Sequence, residues 1–213
     1  RMAGEIQGLN QAVRNAADAQ AYLATTEGAM EEVHTILLRI RELSVQASNG
    51  TYTAQDRVAL QAEVTDLQSE INRIATDTTF NNIGVLSGAA STGITFQLGA
   101  DNTQTMTVSI PRITISAAGI NISTANQLTT AAAAMIYIST IDSAISLIST
   151  QRGTYAAAMN RLDHAIANMQ NVATNLSMAK GRIEDADFAA ETSNLSRVQV
   201  LQQASMAMLA QAN

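Results

Sequence analysis

From Ile141 onward, apolar side chains recur in alternating steps of four and three: Ile145, Ile148, Arg152, Tyr155, Met159, Leu162, Ile166, Met169, Ala173 and Leu176. All but Arg152 and Ala173 are large and apolar, and the alternation never slips. A repeat averaging 3.5 residues lays one seam along a helix and requires partner helices along its length. Asn160, Arg161, Asp163, Asn168, Gln170, Asn171 and Asn175 fall between the seam positions. Gly153 alone interrupts the run, which does not end a helix. Continued back through Ile138, Ala134 and Ala131, the pattern predicts a helix over about 124–180, punctuated by Lys180-Gly181. At ~1.5 Å per residue it makes a rod of roughly 80 Å. A compact domain has no use for such a rod, whereas a fibrous assembly does.

The remaining helices follow from the same count. Residues 1 to about 48 read as one helix, with a first seam of Ile6, Leu9, Val13 and Ala16. After a small phase shift, Leu23, Thr26, Met30, Val33, Leu37 and Ile40 continue it. Asn49-Gly50 supplies the left-handed stop expected after a helix. Thr51 or Thr53 caps a second helix, about 53–78, whose seam is Leu60, Val64, Leu67, Ile71 and Ile74. A connection this short makes the two helices antiparallel neighbours.

The character changes over about 80–122, which is rich in Gly, Ser, Thr and Asn. Ile94–Leu98 and Met106–Ile110 alternate around Gly99-Ala100-Asp101-Asn102 and predict a β-hairpin with a longer turn. Arg112–Ile115 follows Pro111, the only proline, and reads as a third short strand or an edge. After the long helix, Asp185 and Asp187 are placed to cap a last one from about Phe188 to Ala210. It carries a broad apolar stripe of Phe188, Leu195, Val198, Leu201, Met208 and Leu209. No intramolecular partner is left for it once the other three helices pack. The predicted fold is mainly α: an elongated antiparallel bundle, a rod-like coiled coil, with a small β-hairpin region at one end.

Composition narrows what such a bundle can do. Of 213 residues, 46% are hydrophobic, only 3% aromatic and 14% charged. Much of the apolar share is alanine, so the helices meet along thin seams rather than around a pocket. A net charge of −6 argues against a nucleic-acid partner. Cysteine is absent, which excludes disulfides and thiolate metal sites. No unbroken run of about 18 apolar residues is present, so no membrane insertion is expected. Arg1 sits inside a helical pattern, as expected of a chain trimmed at its start.

Several segments resemble bacterial flagellins. The N-terminal segment Arg39–Gly50 (RIRELSVQASNG) does so, as do Asn72-Arg73-Ile74 and Thr79-Phe80-Asn81. Residues Asn160–Glu191 resemble the C-terminal signature, above all Ala179–Phe188 (AKGRIEDADF), followed by Leu201-Gln202-Gln203-Ala204 and Leu209–Asn213. The similarity covers almost the whole chain. It implies a rod domain over 1–181 and, over 182–213, part of an inner-core terminal helix that pairs with an N-terminal helix upstream. Gly119–Ile122 leads almost directly into the long helix, so large variable outer domains are expected to be absent. The implied function is a non-enzymatic structural subunit, exported unfolded and self-assembling into the extracellular flagellum for motility. The partners implied are copies of itself, the flagellar export apparatus, an export chaperone and the filament cap. Trimmed of its terminal helices, the chain is not expected to polymerise alone.

Arg39, Leu43 and Glu63 match family positions read by the animal flagellin-sensing Toll-like receptor. Arg39 and Leu43 lie four apart on one helix, with Glu63 on its antiparallel neighbour. A guanidinium fork, an apolar contact and an acceptor make a recognition patch. On residue types alone, Leu43 is equally core and Arg39–Glu63 a surface pair. Glu184, Asp185, Asp187 and Glu191 could hold a hard cation, although helix capping accounts for them. Glu32-Val33-His34 lacks the spacing of a zinc protease, and His34 and His164 read as solvated. No nucleophile with a base and no phosphate loop is found, so no enzyme and no cofactor are expected. Two rivals remain: a hook–filament junction protein, which shares the terminal helices, and a surface-binding module that holds polysaccharide or another external ligand.

Overall fold

The computed structural model describes residues 1–88, 91, 93–116, 119–122, 127–184 and 188–212. Four helices dominate: α1 (Met2–Ser48), α2 (Ala54–Asp77), α3 (Ala131–Glu184) and α4 (Phe188–Ala212). Two antiparallel strand pairs lie between α2 and α3. One joins β1 (Thr79–Phe80) to β2 (Ile83–Gly84), the other β3 (Ile94–Gln97) to β4 (Thr105–Val108).

The α1–α3 pair is the spine. Three polar contacts give its direction: Gln20 donates to Asp163, Arg152 to Glu27 and Arg41 to Asp142, each at 2.6 Å. As the number rises on α1 it falls on α3, so the helices run antiparallel. Their seams differ from the sequence expectation in an instructive way. The buried residues of α1 include Leu9, Ala12, Ala16, Ala19, Leu23, Thr26, Met30, Val33, Leu37, Ile40, Ser44 and Ala47. This is an unbroken 3–4 alternation with no phase shift, and Val13 stands beside it rather than in it. On α3, Ala144 and Ala158 occupy the seam where Ile145 and Met159 were expected, and those larger side chains flank it. Alanine at the contact lets two helix backbones approach closely, while bulkier neighbours seal the edges.

The third layer divides the spine in two. Beside the C-terminal half of α1 lies α2, capped as expected by Thr53, whose hydroxyl accepts from Asp56 N while the Asp56 carboxylate accepts from Thr53 N. Asn49 has φ −69° and ψ 131°, so α1 does not end through the left-handed stop its Asn-Gly suggested. Its terminal carbonyls are bonded from the next helix instead. Arg57 is buried, and its Nε donates to Ala47 O at 2.8 Å and its Nη2 to Asn49 O at 2.9 Å. A side chain thus replaces the glycine motif.

Beside the N-terminal half of α1 lie the strands. The β1–β2 hairpin turns through Asn81 and Asn82 at φ 49° and 62°, the paired left-handed geometry that suits a two-residue hairpin. Phe80 meets Tyr22 edge-on at 5.5 Å. In the larger hairpin Phe96 faces Met106, and Asn15 Nδ2 donates to Gln97 O. At its turn, a Cβ on Gly8 of α1 would stand 3.0 Å from the Ala100 Cβ, so a larger residue there would have to push the turn outward. Arg112–Ile115 is not a strand. It is tied down by Ile113 N donating to Leu86 O, while Ile122 N donates to Ile115 O. Gln68 and Tyr137 both donate to Ile122 O, anchoring this segment against α2 and α3.

The long helix starts later and ends later than expected. Thr130 Oγ1 accepts from Ala133 N, so α3 begins at Ala131 rather than near Thr124. It runs through Lys180-Gly181 to Glu184, because a glycine weakens a helix without terminating it. By length and composition alone, α3 is apolar enough to cross a membrane. Ala134, Tyr137, Ile141, Ala144 and Ile148 all point into the bundle, as a spine helix requires.

Candidate receptor patch and assembly helix

The antiparallel pairing of α1 with α2 brings Arg39 and Glu63 together. Arg39 Nε and Nη2 donate to Glu63 Oε1 at 2.9 and 2.7 Å, and Nη1 donates to Glu42 Oε2 at 2.7 Å. All three side chains are exposed. The hydrogen bonds to Glu63, then to Glu42, raise the Arg39 pKa further, so the guanidinium stays charged at any accessible pH. Solvent screening leaves the pair little to add to stability. The pair holds an oriented guanidinium fork and two carboxylates at the surface.

Leu43 does not join them at the surface. At 1% exposure it belongs to the core, as its place beside the α1 seam allowed. The exposed apolar neighbour of Arg39 is Leu38, at 47%. Continuous counting along the seam would have found this, because Leu37 and Ile40 face inward and leave position 38 outside.

The candidate assembly helix, α4, behaves differently. Every described residue of α4 from Glu191 to Gln211 is exposed. Leu195, Val198, Leu201, Met208 and Leu209 range from 59% to 75% exposure. Phe188 begins the helix, and its side chain lies outside the described residues, as do Asp185 and Asp187. Val200 and Met206, not singled out from the sequence, are exposed too. At 100° per residue Val200 falls well away from the expected stripe, so apolar side chains occupy more than one face. A helix of that kind is stable only with neighbours on several sides.

Other candidates resolve more simply. Glu184 pairs with Lys180 at 3.3 Å, and no cluster of three metal-ligating side chains occurs among the described residues. His164 is exposed and His34 half-buried. Among the described residues, an open groove of about 380 Å³ lies between β4 and α3, lined by Met106, Val108 and Ala158.

A rod of antiparallel helices that leaves a terminal apolar helix uncovered is the architecture implied by the motifs at both ends. Comparison with known proteins decides the matter. Residues 1–92 match the bacterial flagellin N-terminal helical region, and residues 138–213 match the bacterial flagellin C-terminal helical region. The chain belongs to the flagellin family. A flagellin of Halalkalibacterium halodurans is 39% identical over 213 residues, covering 100% of this chain and 78% of the relative. The crystal structure of Bacillus cereus flagellin shares 35% identity at a TM-score of 0.63, covering 78% of this chain and 94% of that one. A putative flagellar hook-associated protein from Vibrio parahaemolyticus has a TM-score of 0.71 at 14% identity, covering 85% and 93% of the two chains. That last likeness is one of fold alone. The flagellin family is structural, and this flagellin is a subunit of the bacterial flagellar filament.

Proposed function

We propose that this flagellin polymerises by burying α4 between neighbouring copies, while the outer face of the α1–α3 spine makes lateral contacts. The observation that carries the reading is the uncovered apolar surface of α4, from Leu195 to Leu209. An exposed apolar patch of that extent on a folded protein marks an interface. Val200, off the main stripe, calls for a second neighbour. Electron microscopy of sheared filaments from cells carrying Leu201→Glu with Leu209→Glu tests it. Loss of filaments with normal subunit expression is the expected result; filaments of ordinary length would overturn the reading.

Assembly outside the cell requires passage through the flagellar export apparatus. We therefore assign an export chaperone and the filament cap as transient partners and place the mature protein in the extracellular flagellum. The Arg39–Glu63–Glu42 surface, with Leu38 at its edge and Leu43 supporting it from beneath, is proposed as the site read by the animal flagellin-sensing Toll-like receptor. Its oriented charges suit a recognition surface better than a stabilising one. In a cell reporter assay with monomer, Arg39→Ala lowers signalling about tenfold or more while the fold is retained. Equal signalling by the variant would remove the patch from this account.

A further inference from the structure

Midway along the α1–α3 spine the apolar seam is interrupted. The α3 seam position here is the half-buried Gln151, and beside it Arg152 donates through Nε to Glu27 Oε1 at 2.6 Å. Tyr22 and Tyr155 share this layer and are buried. Neither hydroxyl has a hydrogen-bond partner among the described residues, nor does the second oxygen of Glu27. Burial, then the nearby Tyr22 and Glu27, push the Tyr155 pKa upward, consistent with three side chains grouped in a poorly solvated space. Unpaired polar atoms in such a space weaken the packing that surrounds them.

Two glycines adjoin the same layer. Gly28 follows Glu27 and Gly153 follows Arg152, each in a helix interior. A Cβ at either position would meet nothing within 4 Å, so neither glycine is required by packing. Glycine inside a helix favours its opening. The third layer changes here as well, since α2 ends at Asp77 and Phe80 of β1 rests on Tyr22.

From this convergence we infer that the spine contains a built-in compliant joint, formed by residues 22–28 of α1 and 150–156 of α3, which opens and bends independently of the packed halves on either side. The Glu27–Arg152 pair spans the joint, and its long side chains keep the helices opposed while the backbone loosens. Neither half need unzip for the rod to flex.

Hydrogen exchange read by mass spectrometry on the 213-residue chain tests this. After correction for intrinsic rates, amides of 22–28 and 150–156 exchange about tenfold faster than those of 33–43 and 160–169. Gly28→Ala with Gly153→Ala, which the open space permits, slows exchange in the joint by roughly 2- to 5-fold per substitution and leaves the flanks unchanged. Tyr22→Phe with Tyr155→Phe, nearly isosteric, also slows it by removing the unpaired hydroxyls. A joint that exchanges no faster than its flanks overturns the inference. So does either variant slowing the whole chain uniformly, or both leaving the joint unchanged.

Discussion

The spine and α4 are built from similar residues and meet opposite fates. Both are rich in Ala, Leu, Val and Met, yet Leu23, Leu37 and Ile148 are fully buried while Leu201 and Leu209 stand mostly in solvent. The difference lies in arrangement. On α1 and α3 the buried positions follow a 3–4 seam, which the antiparallel partner and the third layer cover within the chain. On α4 the apolar positions spread around the helix, so no one partner can cover them. A seam one helix wide closes within the chain, and a broader surface waits for other chains.

The contrast breaks most sharply under paired truncation. Leu37→Ala is expected to lower the unfolding free energy by about 2–5 kcal/mol, because it leaves a cavity in a filled seam. Leu209→Ala is expected to stay within ~0.5 kcal/mol for the monomer. Denaturant titration of both checks it, and equal losses would erase the distinction. Next in size is an alkaline effect confined to the closed part. Burial raises the Tyr137 pKa to about 12 from its ordinary 10.0, a larger influence than the opposing hydrogen bond with Gln68. The stability this lends is complete below pH 10 and is lost as pH climbs towards 12. Tyr137→Phe is expected to flatten that alkaline loss, on the order of 2 kcal/mol, in melts followed by circular dichroism.

Arg57→Ala sharpens the comparison at the end of the spine. It removes the side-chain donor to Ala47 O and leaves Asn49 O only the longer bond from Tyr52 N, and is expected to cost about 2 kcal/mol, with fraying of α1 visible in hydrogen exchange. The smallest effect concerns the cap of α2. Hydrogen bonds from the Thr53 side chain and backbone hold the Asp56 pKa below its usual 3.8. That contribution is present above pH 3.8 and disappears as pH falls through the depressed value. Thr53→Ala is expected to lower stability by about 1 kcal/mol at neutral pH and to soften the acid transition.

Much of this organisation was legible in the sequence because period and punctuation are local signals. The helices, the hairpin between Ile94 and Val108 and the lack of a partner for the last helix all follow from counting. The departures share a cause. Val13, Ile145 and Met159 were read into seams that belong to Ala12, Ala144 and Ala158, because a pattern search favours bulk where close approach favours smallness. Asn49-Gly50 looked like a stop, but the donor that ends α1 comes from Arg57, a tertiary fact. The pairing of Arg39 with Glu63 followed from antiparallel helices, whereas the burial of Leu43 depends on how α1 turns towards its neighbours. The β1–β2 hairpin is so short that only the left-handed pair Asn81-Asn82 could have announced it.

The alanine-lined spine has a thermodynamic corollary. Its slenderness leaves the 22.5 kDa chain with 12641 Å² of accessible area, where a compact monomer of that mass would show about 9,500 Å². The surplus is about 3,000 Å², and the apolar share of it on α4 is surface that assembly as proposed would take out of water. Subunit addition should therefore be accompanied by a large fall in heat capacity, with elongation growing weaker in the cold.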